Sequence, residues 1–195
     1  RAGAQCNASL KLTQMGLDVD RELCVRNVER IITQAAQFGN FIRIDMEGSG
    51  YTQVTLDIFS ELFARQQNVG VVIQAYLYRS EEDIRALNKL GARVRLCKGA
   101  YNEPASVAFP EKADTDKNYV KLMQMLLSEG NYPGIATHDE KMIEATRNYA
   151  SQQGIPLDRF EFQMLYGIRR DLQDQLVREG YRMRVYVPYG EEWYP

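Results

Sequence analysis

One short segment in the middle of the chain, residues 95–101, brings together two cationic side chains, a glycine and a tyrosine. Arg95 and Lys98 lie at the end of an apolar run, where paired cations suit a phosphate, a carboxylate or another electron-rich group. Gly99 and Ala100 carry little or no side chain, so the backbone there can approach a ligand closely. The segment therefore predicts a binding site for a large anionic ligand.

Large polar side chains recur inside or just beyond the other short apolar runs. They are Lys11, Asp45, Glu47, Gln74, Tyr76, Thr137, His138, Gln163 and Tyr186. Burying such groups is unfavourable unless each one has a partner. Their repeated occurrence at strand ends therefore predicts one shared polar site for a ligand.

Several of these residues also have a purely structural interpretation. Lys11 and Asp45 could form an interior ion pair, and Glu47 could cap the helix that follows it. His138 directly precedes Asp139-Glu140, a typical helix start. Tyr101 and Tyr186 could be aromatic residues at the rim of the fold. The residues alone leave these alternatives open.

The elements that carry these residues alternate between two patterns. Short apolar or β-branched runs occupy residues 8–13, 41–46, 70–77, 93–99, 134–137, 160–165 and 182–188. Segments with helical spacing of apolar residues separate them. Repeated alternation of strand and helix is typical of an α/β fold with a parallel sheet.

Two parallel folds compete: the open doubly wound sheet and the closed barrel. The doubly wound sheet usually has a glycine-rich phosphate-binding turn after its first strand. Gly48-Ser49-Gly50 begins such a turn, but Gln53 stands where its last glycine belongs. About seven strands and no such turn favour a (β/α)8 TIM-type barrel, as one domain over residues 1–195. The irregular residues 102–115 are either an active-site lid or an extended βα loop.

Composition excludes several classes of protein. A net charge of -2 without a run of Lys or Arg argues against nucleic-acid binding. No metal-ligand pattern is present, and no apolar stretch reaches the roughly 20 residues of a membrane span, although peripheral membrane contact stays open. The three cysteines contain no CxxC pair, and Cys24 and Cys97 fall on apolar stripes as reduced thiols. A reducing compartment, either cytoplasm or mitochondrial matrix, fits them.

Seven pieces of the chain resemble the proline dehydrogenase family, the flavin enzymes of proline catabolism. The pieces are Leu10-Lys11-Leu12-Thr13, Ile44-Asp45-Met46-Glu47, Gln74-Ala75-Tyr76, Val94-Arg95-Leu96-Cys97-Lys98-Gly99-Ala100-Tyr101, Ala136-Thr137-His138, Glu161-Phe162-Gln163-Met164-Leu165 and Arg184-Val185-Tyr186-Val187-Pro188-Tyr189-Gly190. The resemblance implies FAD as cofactor and L-proline as substrate. It also implies hydride transfer to flavin N5, formation of Δ1-pyrroline-5-carboxylate and a membrane quinone as electron acceptor.

The same resemblance implies residue roles. The catalytic residues would be Asp45 and Arg95, with Arg95 near N5 and Gln74 at the flavin pyrimidine edge. The cofactor would be bound by Ile44, Gln74, Arg95, Lys98, Gly99, Ala100, Tyr101, Thr137, His138 and Gln163. The substrate would be bound by Lys11, Asp45, Tyr101, Leu165 and Tyr186.

The chain also departs from the family pattern, and both of its ends are expected to be truncated. It lacks the first strand, with Asp-x-Leu-Gly-Glu, and the last helix, with an arginine pair for the proline carboxylate. Arg169-Arg170 follows the sixth run and cannot replace that pair. We therefore expect this fragment to bind proline poorly. The expected location is the bacterial cytoplasm, peripherally at the inner membrane face, or else the mitochondrial matrix. The competing functions are another barrel enzyme that binds a phosphate or carboxylate at Arg95 and Lys98, and an inactive fragment.

Overall fold

The computed structural model describes residues 6–190, in which seven β-strands alternate with six α-helices. The elements are β1 (Ala8–Leu10), α1 (Arg21–Ala36), β2 (Ile42–Ile44), α2 (Ser49–Arg65), β3 (Val69–Gln74), α3 (Ser80–Leu90), β4 (Arg93–Cys97), α4 (Lys112–Glu129), β5 (Gly134–Ala136), α5 (Glu140–Gln152), β6 (Glu161–Leu165), α6 (Arg170–Arg178) and β7 (Met183–Tyr186). Each of the seven predicted runs overlaps one of these strands, although β3 begins one residue before its run.

The strands form one parallel sheet in the order β1-β2-β3-β4-β5-β6-β7. A doubly wound sheet reverses its strand order at a switch point, so this order excludes that fold. Strands that are far apart in the order also meet across the interior. The Tyr186 hydroxyl on β7 donates to Asp45, next to β2, at 2.9 Å. The sheet is therefore a curled half-barrel, which confirms the predicted barrel class.

The hydrophobic core lies between the sheet and the surrounding helices. Paired strand residues such as Ile44, Val71 and Val94 face it in register. Helix α2 adds Phe59, and α4 adds Leu126, both fully buried. Because successive strand residues point to opposite faces, the other half of each strand faces the barrel interior.

That interior is polar. Its buried side chains include Arg43, Gln74, Arg95, Glu161 and Gln163. Arg43, for example, donates to the carbonyls of Val71 at 3.1 Å and of Arg93 at 2.6 Å. Paired groups of this kind avoid most of the free energy that buried, unsatisfied polar atoms would cost.

Residues 102–115 are fastened to neighbouring loops. The backbone N–H of Phe109 donates to the carbonyl of Tyr76 at 2.8 Å, and that of Tyr78 donates to Val107 at 3.1 Å. Glu103 accepts from the backbone N–H of Ser49 at 2.6 Å, at the start of α2. The segment is thus an ordered βα loop, and α4 begins within it at Lys112. The lid interpretation has no structural support.

The expectation that Glu47 caps the next helix is wrong. Its carboxylate accepts from the Thr13 hydroxyl at 2.7 Å and from the Thr13 backbone N–H at 3.2 Å. The cap position of α2 is Gly48, and Glu103 supplies the carboxylate at that helix end from a distant loop. Glu47 instead ties the turn after β1 to the turn after β2.

Two negative findings concern residues 6–190. No helix in this part of the chain combines the length and the apolar character needed to cross a bilayer. It also contains no group of three or more His, Cys, Asp or Glu side chains that could hold a metal ion. Cys24 is buried, Cys97 is half-buried and Cys6 is exposed, and all three are free thiols.

Candidate active site

A cavity of about 480 Å³ opens at the carboxyl ends of the strands. Its volume lies in the range of pockets that hold cofactors and other small molecules. Glu47 and Tyr76, two of the polar residues at the strand ends, do not line it. The residues to which the family resemblance gives a role all line it except Ile44: Lys11, Asp45, Gln74, Arg95, Lys98, Gly99, Ala100, Tyr101, Thr137, His138, Gln163, Leu165 and Tyr186. The sheet thus brings together side chains that are far apart in sequence.

Ile44 is the exception, because its side chain is fully buried in the core between the sheet and the helices. Asp45 lines the cavity, and strand alternation turns its neighbour to the opposite face. The side chain of Ile44 therefore does not reach the cavity, and the expected cofactor contact of Ile44 stays a prediction for its backbone. The alternation rule, applied to β2, would have excluded a side-chain contact.

Arg95 lines the cavity and is only 8% exposed. Its guanidinium donates from Nη1 to Asp45 Oδ1 and from Nε to Gln163 Oε1, each at 2.6 Å. Nη2 donates to the Ser9 hydroxyl at 3.1 Å. The planar, multidentate guanidinium can satisfy these three partners at once, so Arg95 is held in one orientation.

The ion pair between Lys11 and Asp45, which the residues left open as a structural alternative, does not form. Asp45 pairs with Arg95 instead, because the guanidinium reaches it across the interior from β4. No ion pair or hydrogen bond to the Lys11 ammonium occurs among residues 6–190, although Lys11 lines the cavity. Lys11 is therefore a cavity residue whose positive charge remains available to a ligand.

Asp45 also fixes the tyrosine at the far side of the cavity. Its Oδ2 accepts from the Tyr186 hydroxyl at 2.9 Å, while Oδ1 accepts from Arg95. Burial and the negative charge of Asp45 raise the pKa of Tyr186 to about 12. Tyr186 is thus a neutral hydrogen-bond donor at physiological pH, and its ring lies 5.2 Å from the Arg95 guanidinium carbon.

Lys98 reaches the cavity edge between two carboxylates. Its ammonium donates to Asp139 at 2.6 Å and also to Asp116. The hydrogen bond from Lys98 holds the pKa of Asp139 below its ordinary value. Sequence reasoning identified Asp139 only as a helix cap, a role it also fills by accepting from the Lys141 backbone N–H at 3.0 Å. Nothing in the sequence pattern marked Asp116.

His138 connects the ends of two neighbouring strands. Its Nε2 accepts a hydrogen bond from the backbone N–H of Leu165 at 2.9 Å. Burial, and to a smaller extent the charge of Arg169, lowers the pKa of His138 below its ordinary value. With Nε2 as an acceptor, the neutral form of the imidazole positions Leu165 at the cavity wall.

The role of Gly99 differs in part from the prediction. Its φ of +124° favours glycine, and a Cβ there would lie 2.5 Å from the ring of Tyr76. The turn after β4 and the packing of Tyr76 therefore both require glycine at this position. Its backbone still lines the cavity, as the sequence predicted.

Sequence reasoning missed several apolar wall residues, among them Met46, Val72, Ala136 and Met164. They are ordinary core residue types, so only their position at the strand ends could have indicated them. Cys97 also lines the cavity, and burial raises its pKa to about 12, so its thiol stays protonated. The cavity is thus a largely apolar slot with charged groups at defined points.

Comparison with known proteins identifies the family. The model of the family described as proline dehydrogenase matches residues 2–193. The chain is 50% identical over 188 residues to Proline dehydrogenase 2 of Bacillus subtilis, covering 96% of this chain and 62% of that protein. It is 48% identical over 198 residues to the Proline dehydrogenase of Deinococcus radiodurans, covering 99% of this chain and 64% of that one.

A solved structure has the same fold. Proline utilization A (PutA) from Bdellovibrio bacteriovorus, inactivated by N-propargylglycine, superposes with a TM-score of 0.85 at 31% identity. The match covers 94% of this chain and 22% of that protein. The chain therefore spans a little over three fifths of the curated relatives named above and a smaller share of PutA. On the strength of the family match and of these identities, the chain belongs to the proline dehydrogenase family.

Proposed function

We propose that this protein oxidises L-proline to Δ1-pyrroline-5-carboxylate with FAD as its cofactor. The observation that carries the proposal is the convergence of Arg95, Asp45, Gln74 and Tyr186 on one cavity, in a chain of this family. The relatives are named for proline dehydrogenation, and the cavity contains the charged groups that such chemistry needs.

The residues present fit a flavin. The Gln74 amide donates from Nε2 to the carbonyl of Glu47 at 2.9 Å, which leaves its oxygen to accept from the N–H of a pyrimidine ring. Apolar residues such as Val72 and Met164 offer flat contacts for an aromatic ring system. Gln74, Arg95, Lys98 and the backbone at Gly99 would hold the cofactor.

When bound, FAD would supply the acceptor, at N5, for the hydride lost from proline C5, the ring carbon that is bonded to nitrogen and does not carry the carboxylate. The nitrogen would lose its proton to solvent, and a membrane quinone would be the final electron acceptor. Arg95 would present a fixed positive charge where negative charge increases during the reaction. Because three side chains already hold it, no reorganisation is needed at that moment, and this is the main source of electrostatic catalysis. A membrane quinone as electron acceptor would require a location beside a membrane, at the inner face of a bacterial membrane or in the mitochondrial matrix.

The substrate would lie between the charged floor and the aromatic wall. Lys11, which makes no ion pair within the described residues, can attract the proline carboxylate. Tyr101, Tyr186 and Leu165 provide the apolar surface for the proline ring. Asp45 would orient the substrate indirectly, since its two oxygens already hold Arg95 and Tyr186.

The alternative of a sugar-phosphate or carboxylate enzyme is less well supported. Lys98, one of its two proposed anion-binding cations, is neutralised by Asp116 and Asp139. Lys112 also contacts both carboxylates, so this cluster has no excess positive charge to attract a free phosphate.

The test is spectroscopic. The purified protein should be yellow, release FAD on denaturation and lose flavin absorbance when L-proline is added without oxygen. A quinone analogue should then restore the absorbance. A colourless protein that is stabilised by phosphate but not by FAD would overturn the proposal in favour of the alternative enzyme. A protein that binds FAD but is not reduced by proline would indicate an inactive fragment.

A further inference from the structure

A chain of polar side chains runs below the cavity, from the half-buried Arg184 on β7 through buried residues of β6 to Arg95 on β4. Arg184 donates from Nε and Nη2 to the two oxygens of Glu161, at 2.6 Å and 2.9 Å. Gln163 donates from Nε2 to Glu161 Oε1 at 2.7 Å. Its other end, Oε1, accepts from Arg95 Nε at 2.6 Å. Glu161 is 5% exposed and Gln163 3% exposed, so little water competes with these bonds.

Glu161 determines which way the Gln163 amide points. An amide donates from its nitrogen and accepts at its oxygen, whereas an ionised carboxylate can only accept. Burial opposes the charge of Glu161, but the hydrogen bonds and charge of Arg184, together with Gln163 and Arg43, hold its pKa below the ordinary value. The nitrogen of Gln163 must therefore face Glu161, and its oxygen must face Arg95. In the reversed orientation two donors would face each other at Arg95.

Packing keeps Gln163 in this place. A Cβ on Gly134, the β5 residue paired in register with Glu161, would collide with the Gln163 amide. The bare backbone of β5 thus provides the space that the amide fills. Packing determines where the Gln163 side chain lies, and Glu161 determines which end of its amide faces Arg95.

Glu161 itself does not line the cavity that holds Arg95. It lines a separate cavity at the amino-terminal end of the strands, together with Arg93 and Arg182. The hydrogen-bonded path from Glu161 to the cavity therefore runs through Gln163, in addition to the direct effect of its charge.

We propose that Glu161 is a positioning residue for this site: by orienting Gln163 it holds the Arg95 guanidinium against Asp45 and so sets how strongly the cavity favours a negatively charged occupant. For a flavin, this preference is the difference in affinity between the reduced and the oxidised form. The statement about flavin affinity rests on the proposed function, but the orientation of Arg95 can be tested without any cofactor.

The first experiment uses the protein without cofactor. In wild-type protein the Arg95 Nε hydrogen should give a slowly exchanging NMR signal, because Gln163 accepts it in a buried site. Glu161→Gln leaves the Gln163 amide free to adopt either orientation, so the signal should exchange much faster. Gln163→Met removes the acceptor but keeps the Glu161–Arg184 pair, and it should have the same effect. Glu129→Gln, at an exposed carboxylate that forms no ion pair within residues 6–190, is the matched control and should leave the signal unchanged.

The second experiment measures the flavin midpoint potential in the loaded protein. Glu161→Gln and Gln163→Met should each weaken binding of reduced relative to oxidised flavin by about three- to tenfold, a fall of about 15–30 mV for a two-electron couple. Because both act through one path, the double variant should show little more than either single change. A role of Glu161 in stability alone would lower the melting temperature and leave the potential unchanged.

The outcomes separate the two proposals. Unchanged protection of the Arg95 Nε hydrogen in Glu161→Gln, or additive effects of the two substitutions on the potential, would overturn the inference. If Glu161→Gln does not fold, Gln163→Met provides the test by itself. An unaltered flavin midpoint potential in that variant would also overturn the inference. A wild-type protein with the protected signal but no affinity for FAD would overturn only the proposed function. The expected result is rapid exchange of the Arg95 Nε hydrogen in both substituted proteins, together with a lower flavin midpoint potential in each.

Discussion

At the scale of single residues, partners decide what each side chain in the cavity can do. Arg95 is a fixed cation because Asp45, Gln163 and Ser9 accept from it. Tyr186 is a neutral donor because Asp45 holds its hydroxyl. The type of a residue indicates what chemistry is available, and its contacts determine which part of that chemistry is used.

The first prediction concerns Arg95→Lys. Lysine retains the charge but cannot satisfy three differently placed acceptors with a planar fork, so we expect the rate of flavin reduction by proline to fall by about 100-fold. FAD absorbance should persist, since the other wall residues are unchanged. Stopped-flow absorbance measures the rate. Arg178→Lys, at an exposed arginine without an ion pair in the described part of the chain, is the control. A rate for Arg95→Lys equal to that of the control would contradict the assigned role.

The second prediction uses the single histidine of the sequence. The pKa of His138 is lowered in the folded state, so the unfolded chain binds its proton more readily, and stability falls as the pH drops below about 6.5. The buried carboxylates with lowered pKa values, such as Glu161, lose their contribution only at more acidic pH. Urea unfolding of the wild type should therefore show a lower midpoint at about pH 5.5 than at about pH 7.5.

His138→Gln is the matched variant for this pH effect. Its amide oxygen can still accept from the Leu165 N–H, but it does not titrate. Its urea midpoint should be flatter over the same pH interval. Identical pH profiles for the two proteins would show that another group is responsible.

At the scale of elements, glycines in the strands make room for side chains of their neighbours. Gly134→Ala places a methyl group against the Gln163 amide, and we expect destabilisation by about 1–3 kcal/mol, typical of an overpacked interior. Gly50→Ala is the matched control, because nothing lies within 4 Å of a Cβ there and the residue is helical. It should stabilise the protein by about 0.5–1 kcal/mol. Chemical denaturation measures both changes, and equal stabilities of the two variants would refute the close packing at Gly134.

The elements themselves were largely predictable from the sequence. Seven apolar runs indicated seven strands, because strands covered by helices on one face need apolar residues at alternating positions. The sequence predicted irregular structure up to residue 115, whereas α4 begins at Lys112. Two prolines and an acidic residue just before Lys112 made the first turn of the helix resemble a loop. Asp116 and Ser9 were missed as partners of Lys98 and Arg95, because no local pattern encodes contacts that cross between elements. The burial of the Ile44 side chain on the helix-covered face was not anticipated, because a family motif specifies positions along a strand and not the face of the sheet.

At the scale of the whole molecule, the cavity couples ligand binding to stability. FAD bound only by the folded state, at a free concentration of 100 times its dissociation constant, should add about 2.7 kcal/mol of stability. For a chain of this size that corresponds to a rise in melting temperature of about 5–10 °C. Differential scanning fluorimetry of cofactor-free protein with FAD, and with phosphate as control, measures it. A rise with phosphate and none with FAD would favour the alternative barrel enzyme.

The contacts that join Asp45 to Tyr186 bridge most of the chain. Neighbouring strands pair in order, so the wall of the half-barrel can grow by successive local steps. The floor of the cavity cannot form by such local steps. Asp45 and Arg95 come early in the chain, but the hydroxyl that binds Asp45 belongs to Tyr186 on β7, 141 residues later. During synthesis the ribosome must deliver nearly the whole described chain before this contact can close. Binding competence should therefore be acquired in the last phase of folding, after the helices have formed, and shortening the chain before β7 should abolish it while much of the earlier secondary structure persists.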